Sequence, residues 1–513
     1  MKKIPIGIQA FSSLIDGDFV YLDKTDMIFK IATTKACYFL SRPRRFGKSL
    51  TLSTLHTFFD GRKELFAGLK IEKLETKWEK YPVLHFDFNA STYNSVEDVQ
   101  SRIGYMLSQH EKIFGKDDNA KQNSERFESL INAAAAQTGK NVVILVDEYD
   151  KPLLSNISNK DLQDEIRKEL KAFYGVLKTC DENIKIAFIT GVTKFSKVSL
   201  FSDVNNLIDI SAEINFSTLC GATEQEIHDY LDCYVQEMAD ANDITKDECY
   251  KELKNWYEGY HFHPNSVDVY NPFGLMRALY SKEFKEYWFE TGTPTFLVEE
   301  IKRHNMNLRD LDNVRRTEEQ LSKIDNVRND PVPLLYQSGY LTIKGYDKFL
   351  KRYTLSLPNK EVGEALPKFI LNFNFPQTDG GDFDITNFIE DVFNGDIDGF
   401  MKRLCALLAD NNYEIVGDAE KYFQNVFYLI FKLLGFYAEV ERNTSDGRMD
   451  AVVKTPQYIY VFEFKLDKPA QEALDQINSK DYFLPFSVDG RKLFKVGVSF
   501  SSETRKVKEW VKE

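Results

Sequence analysis

Ala36-Cys37-Tyr38-Phe39-Leu40 leads directly into Ser41-Arg42-Pro43-Arg44-Arg45-Phe46-Gly47-Lys48-Ser49, and this stretch decides the N-terminal fold. The first five residues are an apolar run of strand length, suited to a buried position. Beyond Ser49, Leu50, Leu52, Leu55, Phe58 and Phe59 recur at helical spacing. Strand, loop and helix in that order is the context that a phosphate-binding loop requires. Backbone N–H groups at the start of such a helix face an anion, and the helix dipole favours negative charge there. Lys48 then neutralises the β- and γ-phosphates of a nucleotide, and the Ser49 hydroxyl ligates magnesium. Arg42 stands where the usual pattern has its first glycine, and Pro43 stiffens a loop that also holds Arg44 and Arg45. An arginine is therefore expected to join the charge neutralisation. The expected nucleotide-contacting segment is Arg42, Arg44, Arg45, Phe46, Gly47, Lys48, Ser49 and Leu50. By itself the same stretch also suits a basic turn at a helix start.

A second element lies further along the chain. Asn141-Val142-Val143-Ile144-Leu145-Val146 is a continuous apolar, β-branched run that ends in Asp147-Glu148-Tyr149-Asp150. It reads as a central parallel strand with carboxylates at its C-terminal end, where open α/β sheets place ligands. Asp147 is expected to hold magnesium, directly or through water, and Glu148 to polarise the water that attacks the γ-phosphate. A third strand, Ile184 to Ile189, ends in Thr190, whose hydroxyl suits contact with that phosphate or the water and equally suits a plain helix-entry turn. Val83 to Phe88 is a further strand, and the runs 95–110 and 161–179 are helical. This alternation predicts a parallel sheet with helices on both faces.

Pro5-Ile6-Gly7, Tyr21-Leu22-Asp23-Lys24-Thr25, the loop from Arg42 to Ser49, Asp147-Glu148-Tyr149-Asp150-Lys151-Pro152 and Asn205-Asn206-Leu207 together resemble the AAA-ATPase-like family of gut and anaerobic bacteria. In that family the Arg-Pro-Arg-Arg-Phe-Gly-Lys-Ser loop is itself the signature. The resemblance covers roughly residues 1–290 and implies an ATP-binding fold without implying a cellular task.

The middle of the chain is quieter. Residues from Thr223 to about Lys254 are helical and charged, followed by the aromatic turn Asn255-Trp256-Tyr257-Glu258-Gly259-Tyr260-His261-Phe262. His261 and His263 lack companion ligands nearby, so they are expected to pack among aromatics rather than to hold a metal. Asp268 and Asn271 suit turns. A helix ending at Gly339, a strand after it and a partner strand at Tyr353–Pro358 look like a winged helix. The region is not notably basic, so a packing lid is preferred to a DNA reader.

Gly380-Gly381 with Asp382 and Asp384 marks a boundary, beyond which a second constellation begins. Tyr422, Phe423, Val426, Phe427, Ile430 and Leu434 form one face of a helix that Gly435 ends, with Glu420 near its start. Strands follow at Phe436 to Val440, around Gly447-Arg448-Met449-Asp450, and at Tyr458 to Lys465. Residues 470–480 read as a helix, Val496 to Phe500 as a strand, and 503–511 as a closing helix. Alternation along Val461-Phe462-Glu463-Phe464-Lys465 turns Glu463 and Lys465 to one side. If the strand with Asp450 pairs beside it, two carboxylates and an ammonium converge, a set that holds Mg2+ or Mn2+ beside a phosphate. Lys465 positions or polarises the nucleophile, and Glu420 adds an outer ligand.

Asp450, Glu463 and Lys465, with twelve residues between the acids, resemble the D…ExK motif of the PD-(D/E)XK nuclease superfamily, and Gln476 resembles the glutamine often found on its following helix. The resemblance covers roughly residues 395–513 and implies an αβββαβ restriction-endonuclease-like core acting on phosphodiesters.

The expected architecture is α/β throughout. Residues 1–220 form a P-loop AAA-ATPase-like domain, 221–365 a helical and winged-helix-like region, and 366–513 the nuclease-like domain. With 513 residues, 40 Phe and 26 Tyr, the chain has material for several cores. A net charge of −13 excludes a protein coated in cations, so any nucleic-acid site is a local patch. Six scattered cysteines without CxxC spacing suit a reducing, cytoplasmic setting. No apolar run reaches the ~18 residues of a membrane span. The expected ligands are ATP, Mg2+ or Mn2+, and nucleic acid, DNA rather than RNA; a homo-oligomer is left open. Three readings compete: an ATP-dependent nuclease, a nucleotide-gated switch or scaffold whose nuclease-like domain only binds, and an NTPase acting on a protein partner.

Overall fold

The computed structural model of the 513-residue chain describes every residue except 196–199, 202–203, 205, 293–310, 323, 325–329, 375–383, 410–418, 436–438, 444–449, 487 and 505. Asn205, the Gly380-Gly381-Asp382 boundary, the start of the strand expected from Phe436, and Gly447-Arg448-Met449 therefore lie outside the described residues. The chain divides into two compact units, Met1–Glu300 with Asn313–Glu361, and Ile301–Asp312 with Val362–Glu513.

The first unit is built on five parallel strands, β1 (Cys37–Ser41), β2 (Val83–Asp87), β3 (Val142–Asp147), β4 (Ile184–Gly191) and β5 (Leu207–Asp209), in the order β2-β3-β4-β1-β5. Every residue of β3 is buried, which is why its sequence is an unbroken apolar run rather than an alternating one. The helix Lys48–Phe59 follows β1 and buries Leu52, Leu55, Phe58 and Phe59. Those side chains join Val143 and Leu145 of β3 and Ile186 and Phe188 of β4 in one core. On the other strands' connections, Val96–Phe114 is closed at its start by a reciprocal cap between Ser95 and Asp98, and Lys160–Thr179 by Asn159.

Helices Glu224–Tyr230, Asp232–Ala241, Lys246–Tyr257 and Pro272–Ser281 make a second core, into which Val20 reaches from the N-terminal segment. Two of them begin with capping boxes, Thr223 with Glu226 and Thr245 with Glu248, and Asn271 caps the last. A three-stranded antiparallel sheet completes the unit: β6 (Val314–Thr317), β7 (Thr342–Asp347) and β8 (Arg352–Ser356), ordered β6-β8-β7. The short helix Val332–Gln337 precedes the β7–β8 hairpin. His261 Nδ1 lies 2.6 Å from Asp268 Oδ1, so this histidine is tied to a carboxylate within its own turn.

The second unit holds a mixed sheet of β9 (Glu439–Asn443), β10 (Asp450–Lys454), β11 (Tyr458–Leu466), β12 (Lys492–Ser501) and β13 (Lys506–Lys512) in chain order across the sheet. Only β11 and β12 are parallel, joined by the helix Ala470–Ser479. The helix Ala419–Leu434 packs aromatic rings on one side of the sheet: Phe427 on Phe464 at 4.4 Å, Phe431 on Phe462 at 5.4 Å and Phe423 on Phe500 at 4.5 Å. One expectation is corrected here. The segment 503–511 is not a closing helix; most of it belongs to β13, antiparallel to β12. Val507, Trp510 and Val511 fit a helical face by spacing alone, but the open edge of β12 offers a row of backbone donors and acceptors that a helix would leave unpaired. Trp510 Nε1 and Lys512 Nζ, both reaching Asp398, fix the strand there at 3.0 and 2.6 Å.

Candidate functional site

The C-terminal ends of β1, β3 and β4 meet at the loop Arg42–Gly47. Gly47 caps the helix Lys48–Phe59 in the left-handed region at φ 98°, a conformation that glycine adopts without strain. Arg45 at φ 61° and Glu148 at φ 51° are non-glycine residues in the same region, so the backbone is strained at both positions. Ser49 Oγ donates to Asp147 Oδ2 at 2.6 Å, and Thr190 Oγ1 donates to Asp147 Oδ1 at 2.7 Å. Asp147 is thus gripped from both sides by hydroxyls on the neighbouring elements. Lys48 is buried, and its ammonium donates to the carbonyls of Arg42 and Pro43 at 3.0 Å each. Asp150 anchors the end of β4 by accepting from Val192 N, Thr193 N and Thr193 Oγ1.

A cavity of about 350 Å³ opens beside these groups. Arg44, Arg45, Phe46, Gly47, Lys48, Ser49, Leu50 and Glu148 line it, so all but one of the loop residues singled out by sequence reach it. Asp147 and Thr190 stand behind Ser49 rather than on the wall. Burial raises the Glu148 carboxyl above the ordinary range; Lys48 pulls it back, while Asp150 and Asp147 push it further up. Such a carboxylate holds a proton more readily than a solvated one.

Arg42 is the exception. Its guanidinium donates to the carbonyls of Ser41 at 2.9 Å, Ser211 at 2.7 Å and Phe216 at 3.2 Å, and lies 4.0 Å from the Phe262 ring centre. It is 1% exposed and absent from the cavity wall, so its expected place among the nucleotide contacts is corrected: it ties the end of β1 to the segment after β5. The reason is that carbonyls left unpaired where that segment turns need buried donors, and a guanidinium supplies several in one plane.

The sequence reading missed the rest of the cavity. Ile8, Val20, Tyr21, Leu22, Phe273 and Met276 give it an apolar wall, and Lys24 sits there paired with Glu226 at 2.6 Å. Pro5-Ile6-Gly7 and Tyr21–Thr25 were visible as motifs, but a motif without a fold has no pocket to line. Nothing in the sequence near Met276 points to the cavity.

In the second unit, the β10–β11 register pairs residue 450 with Glu463, on the sheet face that cross-strand partners share. Glu463 is fully buried; its Oε1 accepts from Lys465 Nζ at 2.9 Å, and Lys465 Nζ also donates to Gln476 Oε1 at 2.6 Å. Glu463, Lys465 and Gln476 are therefore one hydrogen-bonded chain. Glu420 is the second residue of the helix Ala419–Leu434, and its side chain and that of Asp450 lie outside the described ones. Glu463 Oε2 has no hydrogen-bond partner among the described residues.

These features define two classes of fold in one chain, a P-loop NTPase sheet and a restriction-endonuclease-like mixed sheet. Residues 5–201 match the family described as "Predicted AAA-ATPase", and residues 418–510 match the PD-(D/E)XK nuclease superfamily. The chain is also 36% identical over 522 residues to a protein of Azotobacter chroococcum mcd 1 described as "Uncharacterized protein in vnfD 5'region", with 100% of this chain and 99% of that one covered. The chain belongs to this AAA-ATPase-like family, with a PD-(D/E)XK nuclease superfamily domain at its C-terminal end. Nucleotide-binding and nuclease-like functions follow in general terms from that membership. No helix among the described residues is long and apolar enough to cross a membrane.

Proposed function

We propose that the chain binds and hydrolyses ATP at the cavity beside Lys48, and that this controls metal-dependent cleavage of DNA phosphodiesters at Asp450, Glu463 and Lys465. The chain Glu463–Lys465–Gln476, next to the position of residue 450, is the observation that carries the reading. A buried carboxylate oxygen without a donor is costly unless a cation meets it, and Glu463 Oε2 fits that demand. Asp450 and Glu463 would hold Mg2+ or Mn2+ there, with Glu420 as an outer ligand. When bound, the metal supplies an acidified water and a charge that stabilises the leaving oxygen. Lys465, fixed between two acceptors, sets its ammonium charge against the charge that grows on the phosphate.

At the ATP site the phosphates compete with the Arg42 and Pro43 carbonyls for Lys48. Ser49 and Asp147 would hold Mg2+, with Thr190 fixing the carboxylate. Glu148 takes a proton from the water whose oxygen attacks the γ-phosphorus as the bond to the β–γ bridging oxygen breaks and ADP leaves, and its raised affinity for protons suits that step. A purine base fits the apolar wall of Tyr21, Leu22 and Met276.

A second reading, a nucleotide-gated switch, is favoured by one set of contacts. Trp288 Nε1 donates to Arg44 O at 2.9 Å, and Lys194 N donates to Gln337 Oε1 at 2.6 Å. The loop and the end of β4 are thereby tied to the region that carries the hairpin.

The test compares plasmid and single-strand cleavage in Mg2+ or Mn2+, with and without ATP, for wild type, Lys465→Ala and Lys48→Ala. Loss in Lys465→Ala with ATP dependence lost in Lys48→Ala is expected. Cleavage that survives Lys465→Ala sinks the nuclease site, and ATP hydrolysis with no cleavage at all favours the switch.

A further inference from the structure

The β7–β8 hairpin ends in Asp347-Lys348-Phe349-Leu350-Lys351-Arg352, and neither the ATP site nor the nuclease-like site uses it. Phe349 is 92% exposed and Leu350 49% exposed. Asp347 Oδ1 accepts the N–H groups of both at 2.9 Å, so the turn that presents them is built rather than loose. Lys351 sits at φ 50°, and below the tip Tyr346 and Tyr353 pair their rings across the strands at 4.8 Å.

Charge surrounds this apolar point. Lys348, Lys351 and Arg352 are exposed and make no ion pair among the described residues. Asp347, the acid of the tip, is committed to the turn. The tip is thus a local basic patch in a chain of net charge −13. Lys344, by contrast, is anchored lower down on the carbonyls of Gly259 and Pro358. A single exposed phenylalanine needs no explanation, but one held by a side-chain-fixed turn between three cations does.

We infer that this hairpin tip is a nucleic-acid contact: Lys348, Lys351 and Arg352 take backbone phosphates while Phe349 meets the bases. Phosphates spaced along a strand match cations flanking the tip, and an aromatic face or wedge gains from bases whatever their sequence. Two apolar side chains bury too little area to anchor the chain on a lipid surface. The inference rests on the proposed action on nucleic acid, and differs from the packing lid expected from the sequence.

The test uses the full chain carrying Lys465→Ala, in chelator, so that cleavage does not interfere. Anisotropy of a labelled DNA single strand and of its duplex is measured over a salt series. Lys348→Glu/Lys351→Glu/Arg352→Glu should weaken binding of the preferred probe about 100-fold at low salt and flatten its salt dependence. Phe349→Ser should weaken it about tenfold and leave the salt slope unchanged. Circular dichroism melts establish that both variants fold. Parent-like affinity in both variants overturns the inference, as does binding of the parent to phosphatidylserine vesicles but to neither DNA. Cleavage read separately on the chain with Lys465 intact keeps the two ideas apart. Cleavage with unaltered tip-variant binding sinks only the tip, and tip-dependent binding without cleavage sinks only the nuclease.

Discussion

Gly497 lies beside Glu463 in the parallel β11–β12 pair, and a Cβ there would stand 2.4 Å from Ala470 O and 2.7 Å from Leu474 N. The glycine is what lets the helix Ala470–Ser479 lie close on this face of the sheet. That helix carries Gln476, so the nearness of Lys465 to its second acceptor depends on a missing methyl group on the neighbouring strand, two positions before Ser499, the partner of Lys465.

Gly497→Ala should therefore push the helix outward. Overpacking of this kind costs about 1–3 kcal/mol, visible in a urea or thermal melt. Cleavage should fall further than Gln476→Ala alone brings it, because the whole helix is displaced. A variant as stable and active as wild type would show that the helix yields elsewhere.

Glu148→Gln should bind ATP with near-normal affinity and lose about 10²–10⁴-fold in turnover. In the proposed mechanism, turnover requires the ionised carboxylate. Since burial raises the Glu148 carboxyl, activity should decline as pH falls through that raised value, earlier than for a solvated glutamate, and level off above it. A pH–rate profile checks this; turnover in Glu148→Gln equal to wild type removes the base role.

Lys48→Ala should abolish nucleotide binding, read by calorimetry with ATP. Thr190→Val should act differently. It deletes the donor that holds Asp147 Oδ1 at 2.7 Å while keeping side-chain volume. ATP affinity should stay within a few-fold, and the Mg2+ concentration for half-maximal turnover should rise about tenfold, in line with a partner that orients a metal ligand. An unchanged Mg2+ requirement would leave Thr190 a structural residue.

Arg42→Met separates anchor from phosphate contact. Removing a buried guanidinium that three carbonyls share should cost about 3 kcal/mol or more. Denaturant unfolding should show that loss. If stability holds and only ATP affinity falls, the side chain reaches the phosphates after all.

Much of the site was legible because it is local. A strand, a Gly-Lys-Ser turn and a helix are consecutive, so the chain order itself brings Lys48 and Ser49 to one helix start. Val142–Val146 announced a strand buried on both faces, and the alternation at Val461–Lys465 announced Glu463 and Lys465 on one side. The segment 503–511 departs from its local pattern for the opposite reason. Its apolar spacing suits a helix in isolation, and only the free edge of β12, distant from any local pattern, makes a strand better.

The sequence by itself determined the two local patterns: a Gly-Lys-Ser helix start with carboxylates after a buried strand, and a strand that turns Glu463 and Lys465 to one side. Those depend on residue type and short spacing, which chain geometry fixes. The tertiary structure alone decided who stands with whom. It turned Arg42 away to the Ser211 and Phe216 carbonyls, set Thr190 against Asp147, gave the cavity its wall of Tyr21 and Met276, and seated Gln476 on Lys465 across a glycine. Each of these joins residues far apart in the chain, and which distant groups meet is set by packing and by the need to satisfy buried polar atoms, neither of which a local pattern contains.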